Sequence, residues 1–288
     1  MPSVAARLPL YASLTRLDKP VGTLLLLWPT LTALWVASDG APNAMLVAIF
    51  VAGTFLMRSA GCAINDAADA RFDAHVRRTA NRVVARGLVS QREAIAVAVA
   101  LAIGAAGLLP FLNAAAVQLA FIAVAIAATY PLAKRFIPLP QLYLGVAFSF
   151  GIPMAFAAVS GTVPVIGWLL MLANAFWVLA YDTEYAMVDR DDDLRLGIKS
   201  SAIFFGRFDV AAVMASYGAF LLLLVVIGRM VGAGWPFYAG CAIAVALAAY
   251  HFMLIRTRSR DGCLRAFRHN NWVGLAVFAG TAFDYAFR

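Results

Sequence analysis

The chain has 288 residues, of which 63% are hydrophobic and 13% charged, and its mean hydropathy is +0.83. Soluble domains average about 45–50% apolar and about 25% charged residues, so this composition indicates an integral membrane protein and excludes an ordinary soluble domain. The net charge of +8 does not indicate nucleic-acid binding, because an excess of Lys and Arg is typical of the cytoplasmic loops of membrane proteins.

The apolar segments predict the architecture. A helix that crosses a bilayer needs about 20 mostly apolar residues, and the short mixed segment 8–17 before the first such stretch is a candidate interfacial helix. The segments long enough to cross are 21–38, 44–64, 93–110, 114–131, 140–159, 164–181, 209–229, 235–255 and 270–287. We therefore expect an all-α membrane protein with nine transmembrane helices that form a single domain over residues 1–288.

The cationic residues predict the orientation. If the nine segments alternate in direction, all of the 23 Lys and Arg residues except Arg58, Arg229 and Arg288 fall on one side. The cytoplasmic side of a membrane protein carries this excess. We expect a cytoplasmic N-terminus and a C-terminus on the opposite side of the membrane.

The first polar cluster, NDAADARFD, spans residues 65–73 at the end of the second apolar segment. Asp66, Asp69 and Asp73 are spaced i, i+3, i+7. On a helix that continues beyond the membrane surface they share one face, and Asn65 borders that face.

The second polar cluster, YDTEYAMVDRDDD, spans residues 181–193 at the end of the sixth segment, on the same predicted side. Asp182, Asp189 and Asp193 are spaced i, i+7, i+11 and also share one helical face. Clustered carboxylates repel one another unless a cation binds between them. Mg²⁺ is usually held by carboxylates together with substrate phosphates, so the two acidic faces predict a metal–diphosphate site.

The wording of both clusters carries a family resemblance. NDAADARFD resembles the NDxxDxxxD motif of the UbiA superfamily of intramembrane aromatic prenyltransferases, and the Asp189–Asp193 stretch resembles its second acidic motif. The resemblance extends over nearly the whole chain. It is clearest in LDKPVGTLLLLWPT (17–30), AGCAINDAADARFDAHVRRTANR (60–82), IPMAFAAVS (152–160) and YDTEYAMVDRDDDLRLGIKSSAIFFG (181–206). One departure is that Val83 and Val84 follow Arg82, where the family pattern has Pro-Leu.

The resemblance implies a fold and a reaction. It implies nine helices around a central cavity in the bacterial inner membrane, with the C-terminus periplasmic, the active site cytoplasmic and motif loops at 65–92 and 182–208. The implied reaction is Mg²⁺-dependent transfer of a prenyl group from a polyprenyl diphosphate to the ring carbon ortho to the hydroxyl of 4-hydroxybenzoate, in ubiquinone biosynthesis. The implied partners are these two substrates and the lipid bilayer, with no nucleic acid and no obligate protein partner.

The resemblance also implies roles for individual residues. The implied catalytic residues are Asp69, Asp73, Asp189, Asp193 and Arg135. The implied metal ligands are Asn65, Asp66, Asp69, Asp73, Asp182, Asp189 and Asp193. Diphosphate contacts are expected from Asn65, Asp66, Asp182, Arg71, Arg78, Arg82 and Lys134.

Several assignments stay open. Arg135 is a ligand of the diphosphate, a ligand of the benzoate carboxylate, or a cationic membrane anchor. Arg58 lies within a span, where a charge is costly, and is expected to face the bundle interior with a structural or aromatic-acid role. Glu184, Asp191 and Asp192 are expected to be solvated or to support the ligands.

Other classes of membrane protein carry similar acidic residues. Another UbiA branch, acting in menaquinone or haem biosynthesis, has similar acidic clusters. A cation transporter also uses buried acids, but its sites usually lie near the bilayer midplane, whereas both clusters here fall at one predicted surface. The DGxxARxxxxxxxxGxxxD pattern of CDP-alcohol phosphotransferases does not occur in the sequence.

Overall fold

The computed structural model describes the backbone of residues 4–288 and the side chains of residues 7–130 and 136–288. Its α-helices are α1 (Val4–Leu14), α2 (Val21–Ala37), α3 (Ala44–Asp73), α4 (Gln91–Ala106), α5 (Ala114–Phe136), α6 (Pro140–Ser149), α7 (Gly151–Ser160), α8 (Val165–Leu196), α9 (Ser201–Phe205), α10 (Asp209–Met230), α11 (Trp235–Ile255) and α12 (Arg260–Ala286). Single 3₁₀ turns lie at Leu109–Phe111 and Gly206–Phe208. No β-strand occurs within residues 4–288, which confirms the all-α prediction.

The helices coincide with the predicted apolar segments. Six described stretches are long and apolar enough to cross a membrane: Ala44–Asp73, Gln91–Phe111, Pro140–Ser160, Val165–Leu196, Ser201–Met230 and Trp235–Ile255. The apolar helices Val21–Ala37 and Ala114–Tyr130 are shorter. The chain is therefore a multi-pass membrane protein. The number of nine crossings and the orientation of the termini remain predictions.

Three boundaries differ from those expected. The predicted span 140–159 is divided into α6 and α7 at Phe150; Pro153, inside α7, has no N–H to donate to the carbonyl of Ser149, which favours a break there. The last helix starts at Arg260 rather than at 270, because the Ser259 hydroxyl accepts a hydrogen bond from the Gly262 N–H and caps the helix. The helix predicted at 8–17 is α1, Val4–Leu14.

The helices α3 and α8 carry the two acidic clusters. They have 30 and 32 residues, and at 1.5 Å per residue they exceed the roughly 30 Å thickness of the hydrocarbon core. Both helices therefore continue past the expected ends of their membrane spans. This continuation is the condition under which the aspartates of each cluster share one helical face. The motif residues are helical, so the connecting loops begin only at Ala74 and at Gly197, whose φ of +68° ends α8 in a left-handed cap.

The main apolar core surrounds α8, which packs against α6, α10 and α12. Its largest fully buried side chains include Trp177, Tyr181 and Tyr217. A second, smaller core joins α1, α3, α4 and the loop that follows α3. Val83 and Val84, the departure from the family pattern, are both buried in this second core. They anchor the loop by apolar packing where a proline would have stiffened it.

Candidate active site

One cavity of about 1300 Å³ lies between α3 and α8. All seven predicted ligand residues line it, namely Asn65, Asp66, Asp69, Asp73, Asp182, Asp189 and Asp193. Cationic side chains on its wall include Arg16, Lys19, Arg58, Arg78, Arg82, Lys199 and Arg268. The remaining wall is largely apolar and includes Leu25, Phe50, Met57, Phe121, Val124 and Phe148. The cavity thus has an acidic wall, basic flanks and apolar sides.

The two acidic faces meet in this cavity as their spacing predicted. Asp66, Asp69 and Asp73 project from α3, and Asp189 and Asp193 from α8, and all five are buried. Buried carboxylates require charged or hydrogen-bonding partners. The structure supplies several of these partners as arginines.

Asp66 is held by two arginines. Arg16 Nη2 contacts both of its carboxylate oxygens, at 2.7 and 2.8 Å. Arg82 Nη1 lies 3.1 Å from Asp66 Oδ1 and 2.7 Å from Asp73 Oδ2. Asp66 is only 1% exposed, so its charge is compensated within the protein.

The sequence did not single out Arg16. It lies between α1 and α2, immediately before the family-like segment 17–30, and its φ is +60°. This conformation is uncommon for a residue other than glycine. Its bonds to Asp66 and to the Ser13 carbonyl, at 2.5 Å, hold the side chain in place.

Arg78 connects the loop after α3 to the acidic face of α8. Its Nε lies 3.0 and 2.9 Å from the two carboxylate oxygens of Asp189. Its guanidinium carbon lies 4.0 Å from the centroid of the Tyr185 ring, a cation–π contact. Burial lowers the pKa of Arg78, but Tyr185 and Asp189 raise it more, so the net pKa lies above the usual value and the side chain stays charged.

Asp192 lies outside the cavity and joins three elements by hydrogen bonds. Its Oδ2 accepts from the backbone N–H of Arg77 at 3.4 Å and from Arg260 Nη1 at 3.1 Å. The loop after α3, the end of α8 and the start of α12 therefore meet at one carboxylate. Asp191, the next residue back, is exposed and lies 3.5 Å from Arg260. The structure therefore buries Asp192 among these contacts and leaves Asp191 exposed.

The other predicted cations differ in position. Arg71 is exposed on α3 and is not among the residues that line the cavity, since it follows Asp69 by two residues and so points to the opposite face. The side chains of Lys134 and Arg135 lie outside the described part of the structure. Lys199, which no sequence motif singles out, lines the cavity and donates to the Phe136 carbonyl at 3.0 Å.

Arg58 faces the cavity, as expected for a charge within a span. Among the described side chains, its Nε is buried without a hydrogen-bond partner, and so is the Tyr181 hydroxyl. The guanidinium lies 5.4 Å from the centroid of the Phe148 ring. A Cβ on Gly22 would lie 2.6 Å from Arg58 Nη2, so only glycine allows this approach. Arg58 Nε and the Tyr181 hydroxyl are thus two buried polar groups at the cavity that a polar ligand could satisfy.

The donor set of the cavity suits a hard cation and an anion together. Carboxylate and amide oxygens are the ligands that Mg²⁺ prefers. Arginine guanidinium groups match phosphate and carboxylate oxygens. The residues present therefore fit a Mg²⁺-bound diphosphate. Arg58 lies on the same cavity wall and could bind a second anionic group.

Comparison with known proteins identifies close relatives. The family model described as "UbiA prenyltransferase family" matches residues 26–273. A 4-hydroxybenzoate octaprenyltransferase of Cupriavidus necator is 60% identical over 282 residues, which cover 98% of this chain and 99% of that protein. A protein of the same name from Methylobacillus flagellatus is 56% identical over 285 residues, covering 99% and 96%.

Solved structures share the fold. The apo structure of a UbiA homolog from Aeropyrum pernix K1 has a TM-score of 0.78 and 27% identity, and covers 90% of this chain and 97% of that chain. A UbiA homolog from Archaeoglobus fulgidus, bound to GPP and Mg²⁺, has a TM-score of 0.72 and covers 97% and 100%. At 16% identity, this second likeness concerns the fold alone.

Proposed function

The chain belongs to the UbiA prenyltransferase family, and from that membership we propose that it transfers a polyprenyl group from polyprenyl diphosphate to 4-hydroxybenzoate. The product is 3-polyprenyl-4-hydroxybenzoate, an intermediate of ubiquinone biosynthesis. The observation that carries the proposal is the single cavity into which both acidic faces project, in a chain 56–60% identical to relatives that bear this activity in their names.

The proposed setting is the bacterial inner membrane, crossed nine times, with the mouth of the cavity on the cytoplasmic side. The distribution of Lys and Arg supports this orientation. The lengths of α3 and α8 support a site at the membrane surface, because both helices are longer than the hydrocarbon core is thick and carry the acids near their C-terminal ends.

The acidic wall binds the diphosphate end of the donor. Asp69, Asp73, Asp189 and Asp193 are the proposed main Mg²⁺ ligands, with Asn65 and Asp182 completing the oxygen set. Mg²⁺, when bound, stabilises the negative charge that develops on the leaving diphosphate. Asp66 has a different proposed role: its two ion pairs hold Arg16 and Arg82 at the cavity wall.

Arginines on the cavity wall bind the phosphate oxygens. Arg16, Arg78 and Arg82 line the cavity beside the acids. Each is paired with an aspartate there. The diphosphate carries more negative charge than the metal neutralises, so these cations lower the free energy of the bound donor and of the departing group. Lys199 is a fourth candidate contact at the same wall.

Arg58 binds the acceptor in this proposal. Its guanidinium presents a planar pair of donors that matches a carboxylate. The Tyr181 hydroxyl, buried in the same cavity without a partner among the described side chains, orients the acceptor by a hydrogen bond. The aromatic ring then lies between Arg58 and the acidic wall, with its nucleophilic carbon towards the prenyl donor.

The apolar side of the cavity protects the reaction. The bond between the allylic carbon and the diphosphate oxygen breaks with its electrons on oxygen, the ring carbon forms the new carbon–carbon bond, and the ring loses its proton. Water would trap the allylic cation, so Phe50, Phe121 and Phe148 serve to exclude it. The alanine-rich cavity walls of α4 and α5 leave room for the prenyl tail to reach the lipid.

The experiment that tests this function uses membranes containing the chain, Mg²⁺, a polyprenyl diphosphate and radiolabelled 4-hydroxybenzoate. We expect label to enter the lipid phase, EDTA to stop the transfer and added Mg²⁺ to restore it. We expect Asp69→Asn and Asp189→Asn to lower the rate by about 10²-fold or more, as for loss of one electrostatic group at a developing charge. Asp191→Asn is the matched control on an exposed carboxylate of the same helix, and it should retain activity.

Three other outcomes redirect the proposal. Transfer to a different aromatic acceptor, with none to 4-hydroxybenzoate, would place the chain in another branch of the family. An EDTA-resistant transfer would contradict the metal site. Absence of transfer to every acceptor tested would contradict the enzymatic function and favour cation transport.

A further inference from the structure

A buried polar network lies on the far side of α8 from the cavity. Glu184, His251 and Asn270 are 0% exposed and Tyr217 is 1% exposed, and the cavity wall includes none of these four residues. A carboxyl group inside a membrane helix bundle is costly unless something specific requires it. The proposed chemistry does not use Glu184, so its presence needs another explanation.

Asn270, on α12, is the centre of this network. Its Oδ1 accepts from Trp177 Nε1 at 2.8 Å and lies 2.7 Å from the Tyr217 hydroxyl. Its Nδ2 donates to Glu184 Oε2 at 2.8 Å and to the Ala266 carbonyl at 3.1 Å. One amide therefore binds two side chains of α8, one through its oxygen and one through its nitrogen.

Tyr217, on α10, and His251, on α11, complete the network. The Tyr217 hydroxyl lies 3.2 Å from Glu184 Oε1 and 2.8 Å from His251 Nδ1. His251 Nε2 lies 3.0 Å from His269 Nδ1. Side chains from α8, α10, α11 and α12 are thus joined by hydrogen bonds inside the bundle, and Glu184 is the contribution of α8 together with Trp177.

Helical geometry places this network opposite the acidic face. At about 100° per residue, Trp177 and Glu184, seven residues apart, lie on one face of α8. Asp182, Asp189 and Asp193 lie on another, and Glu184 is about 200° around the axis from Asp182. The contacts to Asn270 therefore hold α8 from behind, while its front face lines the cavity.

We propose that Glu184 is a positioning residue for the second acidic cluster: its hydrogen bonds to Asn270 and Tyr217 fix the rotation of α8 and so aim Asp182, Asp189 and Asp193 into the cavity. This inference rests on the proposed function, because it assumes that those carboxylates bind the Mg²⁺-diphosphate. Glu184 would act through its hydrogen bonds, and a negative charge would not be needed.

The size of the effect follows from the helix radius. With side chains included, an α-helix has a radius of about 5–6 Å, so a rotation of about 10° moves a carboxylate oxygen by about 1 Å. Mg²⁺ demands near-ideal octahedral geometry. A misplacement of about 1 Å, caused by a mutation far from the chemistry, lowers a rate by as much as about 10²-fold.

The test compares Glu184→Leu with Glu184→Gln in detergent-purified protein. Leucine removes both hydrogen bonds, whereas glutamine keeps an oxygen for Asn270 and an amide for Tyr217. Four quantities are measured: the Mg²⁺ concentration for half-maximal rate, KM for the polyprenyl diphosphate, KM for 4-hydroxybenzoate, and the rise in Tm when Mg²⁺ and diphosphate are added without acceptor. Val213→Ala is the control, because Val213 is a fully buried apolar residue of α10, and α10 packs on α8.

We expect Glu184→Leu to raise the Mg²⁺ requirement and the diphosphate KM by about tenfold or more, with the acceptor KM changed less than about twofold. Its ligand-induced rise in Tm should be much smaller than that of the wild type. Glu184→Gln should restore all four quantities to near wild-type values. Val213→Ala should lower the Tm of the free protein without changing the Mg²⁺ requirement.

Three outcomes would overturn the proposal. Glu184→Gln as impaired as Glu184→Leu would show that the charge matters and not the positioning. Glu184→Leu with an unchanged Mg²⁺ requirement would leave the network a purely structural role. If Glu184→Leu does not fold, Tyr217→Phe takes its place, since it removes one hydrogen-bond partner of Glu184. An increase of about two- to threefold in the Mg²⁺ requirement would support the proposal, and an unchanged requirement would contradict it.

Failure of the proposed function is recognised separately. A wild-type protein that transfers no prenyl group would contradict the function. The rise in Tm on adding Mg²⁺ and diphosphate would still show whether Glu184 positions their ligands. The two hypotheses therefore fail by different measurements.

Discussion

Arg58 is the residue whose environment most narrowly constrains its role. It lies within the membrane-spanning helix α3, lines the cavity and has a buried Nε without a partner among the described side chains. The buried Nε lacks a hydrogen bond, which destabilises the protein, so a ligand anion that pairs with this guanidinium gains affinity. The carboxylate of 4-hydroxybenzoate is the anion of the proposed acceptor.

Replacing Arg58 with lysine should separate the two substrates. Lysine keeps the charge but loses the planar pair of donors. We expect the KM for 4-hydroxybenzoate to rise about tenfold or more, the scale of one lost charged hydrogen bond, with little change in the diphosphate KM. Steady-state kinetics with each substrate varied in turn measures this. Arg92→Lys, on an exposed position of α4, is the control; equal rises in both KM values would refute an acceptor-specific role.

Asp66 is the most deeply buried of the predicted metal ligands, at 1% exposed, and it alone is paired with two arginines among the described contacts. Its two oxygens are already bound by Arg16, and Arg82 lies 3.1 Å from one of them. If it orients these arginines, Asp66→Asn should raise the diphosphate KM without raising the Mg²⁺ concentration needed for half-maximal rate. Asp69→Asn, at a proposed ligand, should raise the Mg²⁺ requirement. Magnesium titrations of both variants decide, and a raised requirement in Asp66→Asn would restore it to the ligand set.

At the scale of elements, the loop after α3 is held by residues from distant parts of the chain. Arg78 binds Asp189 of α8, and the Arg77 backbone binds Asp192, which also binds Arg260 of α12. Val83 and Val84 are buried on the other side of the loop. The loop is therefore attached to the second acidic helix by polar contacts, and to the first by apolar packing together with the ion pairs of Arg82.

Breaking one polar attachment should loosen this loop. In Asp192→Asn the charge that binds Arg260 is lost, and the weaker amide acceptor leaves the backbone of Arg77 less firmly held. We expect faster hydrogen exchange in residues 74–90 and in the first turn of α12, with exchange in α10 unchanged, measured by mass spectrometry. Asp191→Asn is the neighbouring control, since its side chain is 71% exposed. Unchanged exchange in the loop would mean that Asp192 does not restrain it.

At the scale of the whole molecule, the arrangement in the membrane is the main untested prediction. Alternation of nine spans puts Asp39 and Thr162 on the periplasmic side and Thr257 on the cytoplasmic side. The three native cysteines are all buried, so they should contribute little background to thiol labelling.

Cysteines introduced singly at these exposed positions should report the topology. We expect a membrane-impermeant maleimide, added to cells with a permeable outer membrane, to label Asp39→Cys and Thr162→Cys at once. Thr257→Cys should react only after the inner membrane is opened, because its loop faces the cytoplasm. Labelling of Asp39→Cys without Thr162→Cys would mean that the divided pair α6 and α7 does not cross as one span.

Features that depend on local geometry could be predicted from the order of the amino acids. Apolar length predicted the helices, and the spacing of Asp66, Asp69 and Asp73 placed them on one face because helical periodicity is set by the backbone. The family-like wording of the two acidic clusters correctly indicated the prenyltransferase family. The roles of Lys134 and Arg135, whose side chains lie outside the described ones, remain predictions.

Contacts between side chains on different helices could not be predicted in this way. Arg16 binds an aspartate on another helix, Asp66 is paired with arginines, and Glu184 is fully buried where solvent or a supporting place beside the ligands was expected. The helix break at Phe150 and the early start of α12 were also missed. Such contacts depend on how each helix is rotated and packed against its neighbours, and that arrangement minimises a free energy summed over the whole bundle, which no local pattern in the sequence contains.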